Sequence, residues 1–260
     1  MKKLIAILLS TLMLASAAAC AQKNEEPSAA NASEQNAEAE QTETEETNET
    51  EKTPHNEPLA GGWQVAPDHT MTDERKAILD KALEGLVGVN YVPIACLGTQ
   101  VVAGTNYCFL AQGAVVYPDA APAYMLIYVY EDFSGNAEIL NIADMPIVPH
   151  EDGSVTVPAP EVPMGGWEYS ASYEITKETE ERFGEALNDY GYLAVYTPVA
   201  DLGGQVVAGF NRCILVRFTE RTPEAQPQYK LMYVYEPIEG TAQMLKVLDF
   251  DIGALCTYGA

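Results

Sequence analysis

The chain has 260 residues and a formal charge of −24, from 38 Asp and Glu against 14 Lys and Arg. A surplus of that size repels polyphosphate and anionic lipid, which argues against nucleic-acid binding and against adsorption to an acidic membrane surface. It keeps the protein soluble and favours basic partners. At the start, Lys2 and Lys3 precede an apolar run from Leu4 to Leu14, then the small residues Ala15 to Ala19, then Cys20. This pattern is a secretory leader, too short and wrongly flanked for a spanning helix. Residues 21–60 carry eleven acids against Lys23 and Lys52, with almost nothing apolar. Such a segment cannot bury enough surface to offset its ordering entropy, so it is expected to be a disordered acidic tether.

The rest is repetitive. Gly61-Gly62-Trp63 recurs as Gly165-Gly166-Trp167, an offset of 104. Gln100-Val101-Val102-Ala103-Gly104 recurs intact at Gln205 to Gly209, and Tyr128-Val129-Tyr130-Glu131 recurs at Tyr233 to Glu236, both offset by 105. Three blocks in one order mark a tandem duplication. The change of offset places one inserted residue near Gly191. The expected organisation is a leader over 1–20, a tether over 21–60, a first domain over 61–144, a linker over 145–163 with five prolines, and a second domain over 164–260.

Each copy reads alike. A helix is expected from about Thr72 to Val87, with Ile78, Leu79, Ala82, Leu83, Leu86 and Val87 on one face and Gly88 as its stop. Its counterpart runs from about Thr176 to Tyr190, with Phe183, Ala186, Leu187 and Tyr190 buried. Four β-branched and aromatic segments follow: Tyr91–Leu97, Asn106–Tyr117, Tyr124–Tyr130 and Ala137–Ile142, then Tyr196–Leu202, Asn211–Phe218, Tyr229–Tyr235 and Met244–Phe250. One helix and four strands joined by short turns predict an α+β fold, with the helix covering an antiparallel sheet.

Two resemblances follow from these residues. The small residues ending on Cys20 resemble the lipobox of bacterial lipoproteins, with Ala17 where that family prefers Leu. This implies an extracytoplasmic protein whose Cys20 carries a lipid anchoring it to a bacterial membrane; a plain cleaved signal is the alternative. Thr99 to Tyr107, with its Gln-Val-Val-Ala-Gly core, resembles the first inhibitory hairpin of the cystatins, especially the stefins. The resemblance covers 61–142 and, more weakly, 165–250. It implies two tandem cystatin-like domains, each one helix packed on a four- to five-stranded antiparallel sheet. It also implies reversible inhibition of papain-like cysteine proteases by occlusion of the cleft.

The family's contacts map onto Gly61, Gly62, Gln100, Val101, Val102, Ala103 and Gly104, and in the second copy onto Gly165, Gly166, Gln205, Val206, Val207, Ala208 and Gly209. Leu59 and Met164 stand where the trunk would fill a pocket. A second hairpin in that family offers Pro-Trp or Leu-Pro; here Phe133 and Ile238 stand in the corresponding turns, so that contact departs from the pattern. The alternative function is a surface binding or adhesion lipoprotein displaying its tyrosine-rich strands.

Little else points to chemistry. Cys96 and Cys108 each lie six residues from Val102, so a symmetric hairpin would set them opposite one another, either bridged or as buried free thiols. Cys213 has Asp201 where the first copy has Cys96, and Cys256 stands in the tail. His55, His69 and His150 fall in or near linkers. There is no nucleophile elbow, phosphate-binding glycine loop or CxxC pair, so no enzyme activity, cofactor or metal is expected.

Overall fold

A computed structural model describes residues 61–116, 121–160, 163–188, 190, 192 and 194–257. The leader, the tether, Cys20 and Leu59 lie outside them. In chain order the first repeat forms β1 (Trp63–Val65), α1 (Asp73–Ala82), β2 (Val89–Val102), β3 (Gly104–Val115), β4 (Ala123–Glu131) and β5 (Ala137–Asp144). Residues 145–163 contain β6 (Val148–Pro149) and β7 (Val155–Thr156). The second repeat forms β8 (Trp167–Tyr169), α2 (Lys177–Ala186), β9 (Ala194–Val207), β10 (Gly209–Glu220), β11 (Gln228–Glu236) and β12 (Gln243–Phe250). Two five-stranded antiparallel sheets result, β1-β2-β3-β4-β5 and β12-β11-β10-β9-β8, with β6 and β7 pairing separately.

This corrects the predicted fold class. Strands account for 49% of the structure and helices for 11%, so the protein is mainly antiparallel β rather than a pair of helix-on-sheet, cystatin-like α+β domains. Each helix has only ten residues. Leu79 is the one buried residue of α1; α2 buries Thr179, Phe183 and Ala186. The principal core instead combines the two sheets. Ala95, Leu97, Cys108, Leu110, Leu126 and Tyr128 from the first meet Ala200, Leu202, Cys213, Leu215, Leu231 and Tyr233 from the second. The described residues of both repeats accordingly fall within one compact unit.

Packing sheet on sheet leaves both faces of the central strands covered. That is why β3 runs Cys108-Phe109-Leu110-Ala111 with no residue exposed. Cys108 and Leu110 face the other sheet, while Phe109 and Ala111 face α1. Alternation, the usual mark of a half-solvated strand, is therefore absent.

The helices begin as the sequence predicts and end early. Thr72 and Thr176 cap them, their hydroxyls accepting from the Arg75 and Thr179 backbone N–H groups at 3.3 and 3.1 Å. α1 stops at Ala82, six residues before Gly88, and the chain continues in turns through Gly85, whose φ of 86° no helix accommodates. Helices are offset by 104 and the long strands by 105, which puts the inserted residue between Ala186 and Ala194.

The seam between the sheets is built twice, by equivalent residues of the two repeats. Tyr128 Oη donates to the Ile252 carbonyl at 2.7 Å, and Tyr233 Oη donates to that of Ile147 at 3.2 Å. Trp63 meets Tyr128 edge to face, as Trp167 meets Tyr233, both with centroids 5.5 Å apart. The segment read as a linker thus supplies core: Met145 and Ile147 are fully buried, and Tyr169 Oη donates to the Met145 carbonyl at 2.6 Å. The C-terminal segment returns the exchange through Ile252 and through Leu255, whose carbonyl accepts from Asn141 Nδ2 at 2.7 Å.

Cys96, Cys108 and Cys213 are buried free thiols. The turn centres on Ala103 rather than Val102, so Cys108 pairs with Gly98, and a bulge between Cys96 and Gly98 then sets Cys96 opposite Phe109. Cys96 then faces α1 and Cys108 faces the other sheet, too ill-placed to bridge. Lost hydration pushes the Cys96 thiol up to about 11 from 9.0, and Tyr107 to about 12 from 10.0. Burial raises Cys108, Cys213, Tyr128 and Tyr233 as well. With raised folded-state values, the unfolded chain gives up these protons first. The stabilisation is complete below pH 9 and is lost as pH rises through 9 to 12. Alkaline unfolding is expected in that window, followed as the loss of β-sheet circular dichroism. A fold that keeps its circular dichroism through that window would show that burial of these thiols and phenols contributes little to stability.

Candidate functional site

The repeated Gln-Val-Val-Ala-Gly blocks close the β2–β3 and β9–β10 hairpins. Val102 pairs with Gly104, leaving Ala103 at the turn, and Val207 pairs with Gly209, leaving Ala208. Gly104 and Gly209 adopt φ of 134° and 125°. A Cβ at either would also collide with the backbone carbonyl of Glu131 or Glu236. Glycine is required there by both conformation and space. The valines stay in solvent: Val101 and Val102 are 43% and 39% exposed, Val206 and Val207 69% and 40%. Stiff β-branched side chains at the tip of a two-stranded projection cannot collapse onto their own backbone, so apolar surface is held outward.

The hydrogen bonds at each tip are internal and repeated. Gln100 Nε2 donates to the Gly61 carbonyl at 2.9 Å, and its Oε1 accepts from Asn106 Nδ2 at 2.7 Å. Gln205 does the same with Gly165 and Asn211, at 2.8 and 3.0 Å. Each glutamine amide therefore ties the glycine segment to the hairpin. Gly61 N–H also donates to the Val101 carbonyl at 3.3 Å, with Gly61 at φ 93° and Gly62 exposed beside it. In the second copy Gly165 has φ 76°, and Gly166 N–H donates to the Pro163 carbonyl at 2.7 Å. Met164 is fully exposed.

Two residues that sequence reasoning did not assign complete the tip. Tyr130 Oη donates to the Ala103 carbonyl, and Tyr235 Oη to that of Ala208, each at 2.6 Å. These bonds pin the turn to the neighbouring strand. The signal for them was the repeated Tyr-Val-Tyr-Glu block, whose first tyrosine packs the seam while its second latches the turn.

Strand register gathers the remaining candidates at the same sheet end. Trp63 pairs with Gln100, Thr105 with Glu131, and Glu131 with Ala137. The Gly61-Gly62 segment, the valine turn and the β4–β5 turn bearing Phe133 are thus neighbours. Phe133 is 88% exposed, on a turn closed by Asp132 Oδ1 accepting the Ser134 and Asn136 N–H groups at 2.8 Å. Ile238, 82% exposed, takes the corresponding place in the second copy.

The two tips differ on their flanks. Tyr107 Oη donates to Glu131 at 3.0 Å in the first repeat. Arg212 stands at the equivalent place in the second, gripping Glu236 with Nε at 2.6 Å and Nη2 at 3.1 Å, and reaching Asp201 with Nη1. Burial holds the Asp201 carboxyl above the usual carboxylate range despite the opposing pull of Arg212.

Among the described residues, no three His, Cys, Asp or Glu side chains gather to hold a metal ion, and no helix is long and apolar enough to cross a membrane. No protein-family model matches the chain, and no curated protein sequence matches it either.

Proposed function

We propose that the protein is a reversible inhibitor of papain-like cysteine proteases, its two valine-tipped turns acting as wedges in the active-site cleft. The reading rests on the local geometry of the tips, supported by the likeness of their sequence to the cystatin hairpin, and not on domain architecture. One observation carries it: each turn presents exposed valines on a backbone already tied by Tyr130 or Tyr235 from one side and by Gln100 or Gln205 from the other. A projection ordered before docking loses little entropy on binding. Its tight turn keeps Ala103 out of the extended conformation that a thiolate–imidazole pair needs in order to attack a peptide carbonyl. Blockade of this kind needs no catalytic group or cofactor. Under the same proposal the leader and Cys20 deliver the inhibitor to the outside of a bacterial membrane.

Display of the tyrosine-rich strands to an adhesion partner finds less support, since Tyr124, Tyr128, Tyr229 and Tyr233 are buried.

The test is a paired substitution at the tips. Val102→Asp together with Val207→Asp is expected to weaken papain inhibition at least ~100-fold, because a carboxylate in a desolvated apolar cleft costs several kcal/mol. Both positions are about 40% exposed, so the melting temperature should hardly move. If the purified protein at micromolar concentration fails to slow papain, or if the double variant inhibits as well as the parent, the proposal falls.

A further inference from the structure

The two repeats run head to tail. Trp63 and Val65, beside the first tip, share a cleft of about 230 Å³ with Gln228, Tyr229 and Phe250, which lie at the tip-distal end of the second sheet. Reciprocally, Tyr169, beside the second tip, packs on Tyr124 at the tip-distal end of the first sheet, with centroids 5.7 Å apart. Two further bonds repeat this relation. Gln112 Nε2 donates to the Ala171 carbonyl at 3.1 Å, and its counterpart Arg217 donates through Nη2 to that of Pro67 at 2.9 Å. Each tip-proximal region therefore lies against the other sheet's far end, and the valine turns leave the molecule at opposite poles. With strands rising roughly 3.3 Å per residue, the tips stand on the order of 40 Å apart.

From this arrangement, and resting on the wedge reading above, we infer that one molecule holds two protease molecules at once, one at each pole. Opposed tips on one shared core approach their targets from opposite directions, so neither bound protease shields the other tip. The core joins them rigidly, since the seam is closed by Tyr128, Tyr233, Ile147 and Ile252 rather than by a hinge. The poles are not identical: Phe210, stacked on the Arg212 guanidinium at 5.0 Å, stands beside the second tip where the first has Thr105. The two sites are expected to bind independently but with unequal affinity.

Sedimentation velocity and native mass spectrometry of the protein with excess thiol-blocked papain read this directly. The expected complex holds two papain molecules per chain. Val102→Asp and Val207→Asp, taken singly, should each give a complex with one papain, and the double variant none. Saturation at one papain with the parent protein, or loss of all binding in either single variant, overturns the two-pole inference while leaving the wedge reading intact. Failure of the parent to bind papain at all overturns both.

Discussion

Gly98→Val is expected to lower the unfolding free energy by about 3 kcal/mol or more without altering either valine turn. A Cβ at this position would overlap the Gln64 carbonyl oxygen on one side and Ile252 Cδ1 on the other. The first obstacle is backbone. Gln64 belongs to a three-residue strand whose register sets Val65 against Gly98, and it cannot retreat without releasing β1. The second comes from the other repeat: Ile252 is 5% exposed and part of the shared core, so moving it opens the seam. The equivalent glycine of the second copy is hemmed in alike, with the Glu168 carbonyl on one side and Ile147 Cδ1 at 2.6 Å on the other.

Urea unfolding followed by tryptophan fluorescence checks this, since Trp63 and Trp167 report on the two halves. A single cooperative transition, moved to lower urea, is expected from a common core. Gly184→Ala is the control. That glycine lies within α2 with open space around its Cβ position, and alanine there should stabilise by about 0.5–1 kcal/mol. A loss below 1 kcal/mol in Gly98→Val would show that Ile252 does not seat against β2.

The same glycines show where legibility ended. Duplication, helix starts, long strands and hairpin turns were all readable, because each rests on local chemistry: a threonine cap, β-branched runs, a glycine at positive φ. The strands β1 and β8 were not. Three residues carry no periodicity, and they are strands only because Trp63 and Trp167 pair with Gln100 and Gln205. The greater miss was the shared core. A run such as Cys108-Phe109-Leu110-Ala111 says that both faces are covered but not by what, and the covering sheet lies about a hundred residues away. Met145 and Ile147 were read as linker because five prolines surround them, yet prolines do not prevent two apolar side chains from filling the neighbouring sheet's core. The Cys96–Cys108 geometry failed in two steps, the first being a turn centred on Ala103 rather than Val102, which puts Cys108 opposite Gly98. A bulge at Cys96 turns the two thiols to opposite faces, and nothing in the sequence marks it.

At the candidate site, the valines and the positive-φ glycines were legible as turn chemistry. The latch from Tyr130 to Ala103 was not, because it crosses from β4 to the turn between β2 and β3. Nor was the bond from Gln100 to the Gly61 carbonyl, because the two residues are 39 apart in the chain. In each case the missing information was tertiary: which distant atom completes a bond that the residue type merely permits.

Arg212→Ala should be the most damaging single change on the flank of the second tip, costing about 3–5 kcal/mol at neutral pH. Its side chain is 20% exposed, and its two partners, Asp201 and Glu236, are 7% and 15% exposed. Removal leaves two carboxylates facing a gap with no cation. The Asp201 carboxyl already sits above the usual range because burial outweighs the attraction of Arg212, and without that attraction it rises further. A raised folded-state value gives stability that is present below the unfolded pKa and lost as pH climbs, so the deficit of the variant should be small near pH 4 and full at pH 7.

The first repeat shows the remedy. There Cys96 and Tyr107 occupy the places of Asp201 and Arg212, and Tyr107 meets Glu131 through a hydrogen bond at 3.0 Å. Transplanting that solution as Asp201→Cys with Arg212→Tyr removes the buried acid and its cation together. It should recover most of the stability lost in Arg212→Ala and flatten the pH dependence. Thermal melts across pH 4 to 7 separate the outcomes. An Arg212→Ala deficit that does not grow with pH would mean that lost packing against Phe210, not an uncompensated carboxylate, accounts for the damage. A double variant as unstable as the single one would mean that the bidentate grip on Glu236 cannot be replaced by a phenol.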